Sequence, residues 1–471
     1  MDRIFHTPTI AVEAAFRPYG MGKRMNHSHN AVFVRILGNT GILIGSRVVN
    51  AVCSFVYVAW TTQTLGLRDF GVMLLVTTFA AMVCDITHLQ SWQSLLHYGA
   101  RYFEQKQFDR FYEVLAFCIR VDFISGLVGA VTGLMGVALL GTSFMGWTPQ
   151  VQLDAALCML TIFFMNTGWS TGMLRLCNRF KLVPVYEFLT TCVRTAGTAF
   201  GFVYHLGIGY FLLVWSLTQL TMFVSCSCAG VYLVKKQTGG FPSLSRIVFG
   251  RINIPDIWPY TIKTSVNQVL ESFFAQGATL LIGSRLGASE AAVYKIAGQI
   301  SNGLAKPAQL MIPTLYPEFI RLRDADDWQG IRIVIFKIFG LILAFSALSI
   351  VLAATVGNRL FSYMLHDVWA GQKTILLLLV GRSLLNICLI PLEPFLVMIN
   401  RISILLRWRI IVMCFYFPLL FVFMQLGGIK GASLEELLAS LVMFVVCALP
   451  VLRLLNNRVA RSQPADQNTL G

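Results

Sequence analysis

The chain has 471 residues, 56% hydrophobic and only 13% charged, with a mean hydropathy of +0.68 and a formal net charge of +15. Soluble globular domains carry about 25% charged residues, so this composition excludes one and points to a polytopic membrane protein. The apolar runs suit helices of about 20 residues rather than alternating strands of about ten, which excludes a β-barrel.

Residues 1–30 lack a sustained apolar core and a small-residue cleavage site. They read as a cytoplasmic tail rather than a signal peptide, with Met21 and Met25 as alternative starts. Twelve helical spans are predicted after it: 39–63, 70–97, 114–141, 154–174, 184–204, 209–234, 258–283, 290–317, 331–357, 374–399, 402–426 and 432–452. Six form an N-terminal lobe over 31–234, six a C-terminal lobe over 258–456, and 457–471 is a second cytoplasmic tail. Between the lobes, 235–257 contains Lys235, Lys236, Gly239, Gly240, Pro242 and Pro255, the composition of a cytoplasmic linker.

Basic residues fall in alternate loops. One side collects the N-terminal cations, Arg101, Lys106, Arg110, Arg175, Arg179, Lys181, the linker cations, Arg321, Arg323, Arg332, Arg401 and those of the C-terminal tail. The other side has Arg68, Arg285, Arg359, Lys373 and Lys430. The positive-inside rule then puts both termini in the cytoplasm. Attraction of these loops to anionic headgroups accounts for the net charge, so no nucleic-acid partner is implied.

An internal repeat follows from "TLGLRDFGV" at 64–72 and "RLGASEAAV" at 285–293, offset by 221: Leu65 and Gly66 match Leu286 and Gly287, Asp69 matches Glu290 and Val72 matches Val293. Because an even number of spans separates the copies, the halves run parallel about a pseudo-twofold axis along the membrane normal. The fold class is therefore all-α, with about twelve transmembrane helices in two such six-helix lobes around a central cavity.

The cavity is inferred from polar faces on spans 1, 2, 7 and 8. Span 1 aligns Asn39, Ser46, Asn50, Ser54, Tyr57 and Thr61 with Arg47 beside them; span 2 aligns Asp85, His88 and Trp92; span 7 aligns Thr264, Asn267 and Glu271. Span 8 places Lys295, Gln299, Asn302 and Lys306 at i, i+4, i+7 and i+11 on one face. An ionised side chain at mid-membrane costs about 2.5–3.5 kcal/mol, so Arg47, Asp85, Glu271, Lys295 and Lys306 oppose insertion unless water or partners solvate them.

Other readings compete at several positions. Arg120, Lys337, Arg407 and Arg409 lie near cytosolic span ends, where they snorkel to headgroups. Lys295 has the same option at the outer surface. Asp85 and His88 have the option of satisfying each other, and Glu187 and Glu393 that of interhelical ion pairs; Arg194 and Arg382 stay open between pairing and cargo contact. The eleven cysteines lie mostly in apolar spans as small hydrophobes, and Cys226 and Cys228 point to different helix faces, so neither disulfides nor a metal site is expected.

The stretches "LGNTGILIGSRVVN" (37–50), "LGLRDFG" (65–71) and "QSWQSLLHYGARY" (90–102) resemble the N-terminal half of the bacterial Wzx-type polysaccharide flippases, of the superfamily that includes multidrug exporters and lipid II flippases. "FFAQGATLLIGSRLGASEAAVYKIAGQI" (273–300) and "KPAQLMIPTLYPEF" (306–319) resemble the start of their C-terminal half. The resemblance implies a transporter, not an enzyme, with no cofactor. It implies a multi-pass protein of the bacterial inner membrane whose helices 1, 2, 7 and 8 line the cavity. The implied cargo is an oligosaccharide on an undecaprenyl-diphosphate type lipid, moved to the outer leaflet for O-antigen, capsule or exopolysaccharide synthesis.

On that reading Arg47, Asn50, Trp92, Asn267, Lys295, Gln299, Asn302, Lys306 and Arg382 contact cargo. Asp85 or Glu271 takes a coupling H⁺ or Na⁺, membrane lipids surround the chain, and a polysaccharide polymerase is a partner. Alternating access would use bends at Pro307, Pro313, Pro391 and Pro394. A glycosyltransferase or polymerase would need more than the D-x-D pair Asp324 and Asp326, which precedes span 9 where acids complement a helix N-terminus. A multidrug exporter of the same superfamily would suit a more acidic cavity.

Overall fold

The computed structural model describes residues 29–179, 181–309, 319, 322–323, 327–352, 373–399 and 402–462. Among them every regular element is helical. In chain order these are α1 (His29–Thr87), α2 (Ser91–Ser94), a π turn (Leu95–Gly99), α3 (Ala100–Glu104), α4 (Phe108–Leu140), α5 (Pro149–Met159), α6 (Ile162–Met165), α7 (Gly168–Leu176), α8 (Leu182–Val203) and α9 (Ile208–Thr238). A short linker helix, α10 (Leu244–Phe249), leads to α11 (Ile257–Leu286), α12 (Ala288–Gln309), α13 (Trp328–Leu352), α14 (Lys373–Cys388), α15 (Leu392–Met398) and α16 (Ile402–Ser462). Five stretches among the described residues are long and apolar enough to cross a membrane: Cys53–Glu104, Phe108–Leu140, Pro149–Leu176, Ile208–Thr238 and Arg407–Leu455.

α1 contains the first predicted span and most of the second and breaks at Gly66, with φ 75° and ψ 167°. A Cβ is not tolerated in that region, so glycine is what allows one helix to end and the next to start. At the matching repeat position Gly287 has φ 108° and ψ 167° and separates α11 from α12. The sequence repeat is therefore also a repeat of backbone conformation. The two turns touch, because a Cβ on Gly71 would overlap the Ala288 carbonyl. Gly428, at φ 56° and ψ −138°, breaks α16 between the last two predicted spans.

Spans 2 and 4 are not the unbroken helices predicted. Span 2 is interrupted at 88–90 and passes through the π turn; span 4 is cut into α5, α6 and α7, with Asn166 and Thr167 outside the helix. Side chains replace the missing backbone ladder there: Asn166 Oδ1 accepts the Gly168 N–H at 3.1 Å, and Asp122 accepts that of Trp169. Span 10 stops at Cys388 and resumes at Leu392, bracketing Pro391 as its ring demands.

The chain divides into two compact units, Met1–Ser289 and Glu290–Gly471. Span 7 is thus packed with the first six spans, whereas the predicted linker lay before it. In the first unit Phe111, Phe117 and Cys118 of α4 pack with Leu95, Trp169, Met173, Val234 and the linker residues Ile254 and Ile257. Arg120 donates from Nε to the Ile247 carbonyl and from Nη2 to that of Gly250, both at 2.9 Å, so it clamps the end of α10 instead of reaching for headgroups. In the second unit Trp328, Ile331 and Ile335 pack with Leu392, Phe395, Val451 and Leu455.

α4 has two unlike faces. Phe123, Leu127, Val131, Met135 and Leu139 are exposed at four-residue intervals, an apolar stripe suited to lipid. The other face carries Gly126, Gly129, Gly133 and Gly136, where a Cβ would meet Phe163, Thr87, Ile162 and Phe79 at 2.5–3.3 Å. Small residues let neighbouring backbones approach in this way inside membranes.

Candidate functional site

Polar groups meet inside both units. In the first, Tyr57 and Trp92 belong to the predicted faces of spans 1 and 2, and each ring is covered by a guanidinium. Arg194 of α8 lies 4.1 Å from the Tyr57 ring centroid and Arg175 of α7 lies 4.0 Å from that of Trp92. The Trp92 Nε1–H is oriented by the Gln90 side chain, and the Tyr57 hydroxyl accepts from Ser54 at 2.9 Å. Such cation–π contacts hold an arginine beside an aromatic surface while leaving N–H donors for an anion.

Asp85 accepts a hydrogen bond from Ser272 of α11 at 2.7 Å, which ties span 2 to span 7. Ser94 with Thr261 at 2.6 Å, and the Gln90 N–H with Ser265 at 2.8 Å, extend the same seam. Asp85 and His88 do not satisfy each other; the His88 ring contacts Cys84 at 3.4 Å instead. Asn50 is half-buried, with Oδ1 shielded and without a hydrogen-bond partner among the described residues. The side chains of Arg47, Asn267, Glu271 and Lys306 lie outside the described residues, as do Pro313, Asp324 and Asp326.

The second unit gathers side chains from three helices. Arg382 of α14 donates from Nη1 to Glu436 Oε2 at 2.8 Å, and the Tyr416 hydroxyl donates to Glu436 Oε1 at 3.0 Å, both acceptors on α16. The Arg382 Nη2 approaches Asn302 Oδ1 at 3.4 Å, and the Ser383 hydroxyl approaches the same oxygen at 3.3 Å. Lys295, half-buried and two turns before Asn302 on α12, is within electrostatic range of both Glu436 and Arg382. Gln299 is exposed. Asn302 and Arg382, predicted separately, are thus brought together, while Tyr416, Glu435 and Glu436 are additions. Two adjacent glutamates inside the predicted span 432–452 were the available signal.

The remaining ionic residues sort by contact. Glu393 pairs with Arg409 at 3.1 Å, the interhelical pairing expected for it, and this engages Arg409 rather than leaving it to snorkel. Cys226 is buried and Cys228 exposed, in line with opposite faces. Among the described residues no group of His, Cys, Asp and Glu has the arrangement of a metal site.

A broken-helix bundle with an apolar outer stripe and internal arginine-aromatic and arginine-carboxylate contacts suits a protein embedded in a membrane. The chain belongs to the polysaccharide biosynthesis protein family, whose model matches residues 36–323. It is similar to the inner membrane protein YghQ of Escherichia coli (strain K12), with 27% identity over 304 residues, 64% of this chain and 84% of that protein. In fold it is similar to an inward-facing multidrug resistance MATE family transporter of the MOP superfamily, at TM-score 0.66 and 16% identity, covering 88% of this chain and 96% of the other. It is also similar to the lipid II flippase MurJ in an inward closed conformation, at TM-score 0.63 and 11% identity, covering 88% and 91%. Among the described residues the chain is thus all-helical, has several stretches long and apolar enough to cross a membrane, and shares the fold of these two proteins.

Proposed function

We propose that the chain moves an oligosaccharide on an undecaprenyl-diphosphate type lipid from the cytoplasmic to the outer leaflet during synthesis of O-antigen, capsule or exopolysaccharide. Family membership supports the polysaccharide context, and the shared fold with a lipid II flippase supports a lipid-linked cargo. Twelve spans in two parallel lobes would alternate access about a central cavity, with both termini cytoplasmic. The operation is transfer between leaflets and needs no covalent catalysis by this chain.

The observation that carries this reading is the pairing of Arg175 with Trp92 and of Arg194 with Tyr57. Aromatic faces suit the C–H surfaces of sugars, and guanidinium N–H groups suit the oxygens of a diphosphate, whose desolvation would otherwise bar it from about 30 Å of hydrocarbon. Arg47, Asn50, Asn267, Lys295, Gln299, Asn302, Lys306 and Arg382 would complete the contacts with the head group. Asp85 or Glu271 would bind the H⁺ or Na⁺ that resets the carrier, and a polysaccharide polymerase would receive the cargo outside.

The experiment is reconstitution into liposomes with a fluorescently labelled lipid-linked oligosaccharide, scoring its transfer between leaflets. Transfer by the wild type and its loss in Lys306→Ala and Arg175→Gln, both still folded, is the expected result. Transfer at the protein-free rate by the wild type, with efflux of cationic drugs in its place, would replace this reading with an exporter.

A further inference from the structure

The linker helix α10 turns apolar side chains outward. Leu244 is 75% exposed, Val248 47% and Phe249 84%, three of its six residues. Single exposed apolar residues are ordinary on a protein surface, but a cluster of them rimmed by charge marks a contact. Leu244 and Val248 stand four apart on one face, with Phe249 beside them. Elsewhere the helix is tied to the first unit. Arg246, on the opposite face, donates to Asp109 Oδ1 at 3.1 Å and to the Asp109 carbonyl at 2.9 Å, and Arg120 holds the carbonyls of Ile247 and Gly250. The helix therefore cannot roll over to cover its own apolar side.

Two neighbouring helices set its depth. The lipid stripe of α4 runs from Phe123 to Leu139, about 24 Å of helix against about 30 Å of hydrocarbon, so Phe123 lies near one edge of the apolar layer. Arg120, which grips α10, is one turn outside that edge. On α11, Trp258, Ile262 and Val266 are exposed at four-residue intervals. The tryptophan stands at the linker end, its ring edge-to-face with Phe117 of α4 at 5.0 Å. Tryptophan at the end of an apolar stripe belongs at the headgroup level. α10, about 9 Å long, is too short to cross a bilayer and lies at this boundary.

We infer that α10 is a membrane-surface anchor that docks the linker on anionic phospholipid, with Leu244, Val248 and Phe249 entering the boundary between headgroups and acyl chains. Charge favours that occupant. Residues 235–257 contain Lys235, Lys236, Arg246 and Arg251 against Asp256 as the one acid, and Lys235, Lys236 and Arg251 are exposed. Interfacial helices divided in this way lie with the apolar side in the acyl boundary and the cations toward phosphate. A protein partner fits poorly, because a stable interface needs about 800 Å² from each side and three side chains at the edge of the lipid layer offer far less. The linker is then held to the bilayer, and the anionic lipid content sets how firmly.

This inference does not depend on the identity of the cargo, and its test requires none. The full-length protein is placed in nanodiscs of phosphatidylcholine, alone or mixed equally with phosphatidylglycerol, with photoreactive benzoylphenylalanine in place of Phe249. A control has it in place of Gln105, exposed before α4 and about 20 Å from the level of Phe123. Illumination and mass spectrometry then identify what each position captures. Phospholipid adducts are expected at 249 and only background at 105, with the yield at 249 rising several-fold when phosphatidylglycerol is present. Lys235→Gln, Lys236→Gln and Arg251→Gln together should abolish most of that rise, each cation being worth about fivefold in attraction to an anionic surface. Hydrogen exchange of the unaltered protein needs no substitution: amides over 244–251 should exchange several-fold more slowly with phosphatidylglycerol. Capture at 249 confined to protein, equal lipid capture at 105 and 249, a rise that survives in the triple variant, or exchange indifferent to phosphatidylglycerol would overturn the assignment.

Discussion

Removing either end of the Arg382–Glu436 pair tests how the second unit is held together. Glu436 is 7% exposed, and both carboxylate oxygens are engaged, one by Arg382 at 2.8 Å and one by Tyr416 at 3.0 Å. Glu435 beside it is 3% exposed, with Oε2 lacking a partner. Arg382→Gln therefore leaves two neighbouring buried carboxyl groups with Lys295 as a nearby cation, and Glu436→Gln leaves a guanidinium facing a neutral amide in place of its carboxylate, beside the weak contact to Asn302. Breaking one side of a buried pair costs about 3–5 kcal/mol, whereas replacing both sides costs far less because no orphan charge remains. Each single variant should lose about 3 kcal/mol or more, and the double variant less than either. Equilibrium unfolding in mixed micelles, analysed as a double-mutant cycle, measures the coupling. Losses that simply add in the double variant would refute an energetically coupled pair.

Gly287→Ala should destabilise by about 1–3 kcal/mol, because its φ of 108° excludes a Cβ, while Gly340→Ala, in open space on α13, should be neutral or stabilising; thermal unfolding of the two variants decides. Arg120→Met should free the carbonyls of Ile247 and Gly250 and cost about 2 kcal/mol of local stability, read as roughly thirtyfold faster protease cleavage within 240–256. Arg175→Gln, which removes the guanidinium held over Trp92, should weaken retention of a fluorescent lipid-diphosphate roughly tenfold or more, as loss of a hydrogen bond between charged groups of about 1.5–3 kcal/mol requires, with folding unchanged by circular dichroism. Equal retention by the wild type and Arg175→Gln would place the head group elsewhere.

Hydropathy made the spans readable because about 20 apolar residues in a row have few alternatives to crossing a bilayer. The repeat was readable for a stricter reason: Gly66 and Gly287 share a backbone conformation that other residues avoid, so the turn restricts its own sequence. The breaks at 88–90 and 166–167 were hidden, since no proline marks either and the side chains that accept the freed N–H groups, Ser265 for Gln90 and Asp122 for Trp169, lie far away in sequence. Polar periodicity singled out Asp85 but not Ser272, because a serine on an apolar helix has no periodic signature. Arg382 was flagged as a charge in an apolar span, yet its partner lies 54 residues later, on another helix and beyond the reach of any helical spacing. Arg175 was counted as a loop cation because loop charge says nothing about which ring it will cover.

The two faces of α4 subject it to two different rules of inheritance. Where Phe123, Leu127, Val131, Met135 and Leu139 meet acyl chains, one oily side chain can be exchanged for another at little consequence, and drift there should be free. At Gly129, Gly133 and Gly136 even a methyl group would displace a neighbour, so the same helix turned through half a revolution should scarcely vary at all.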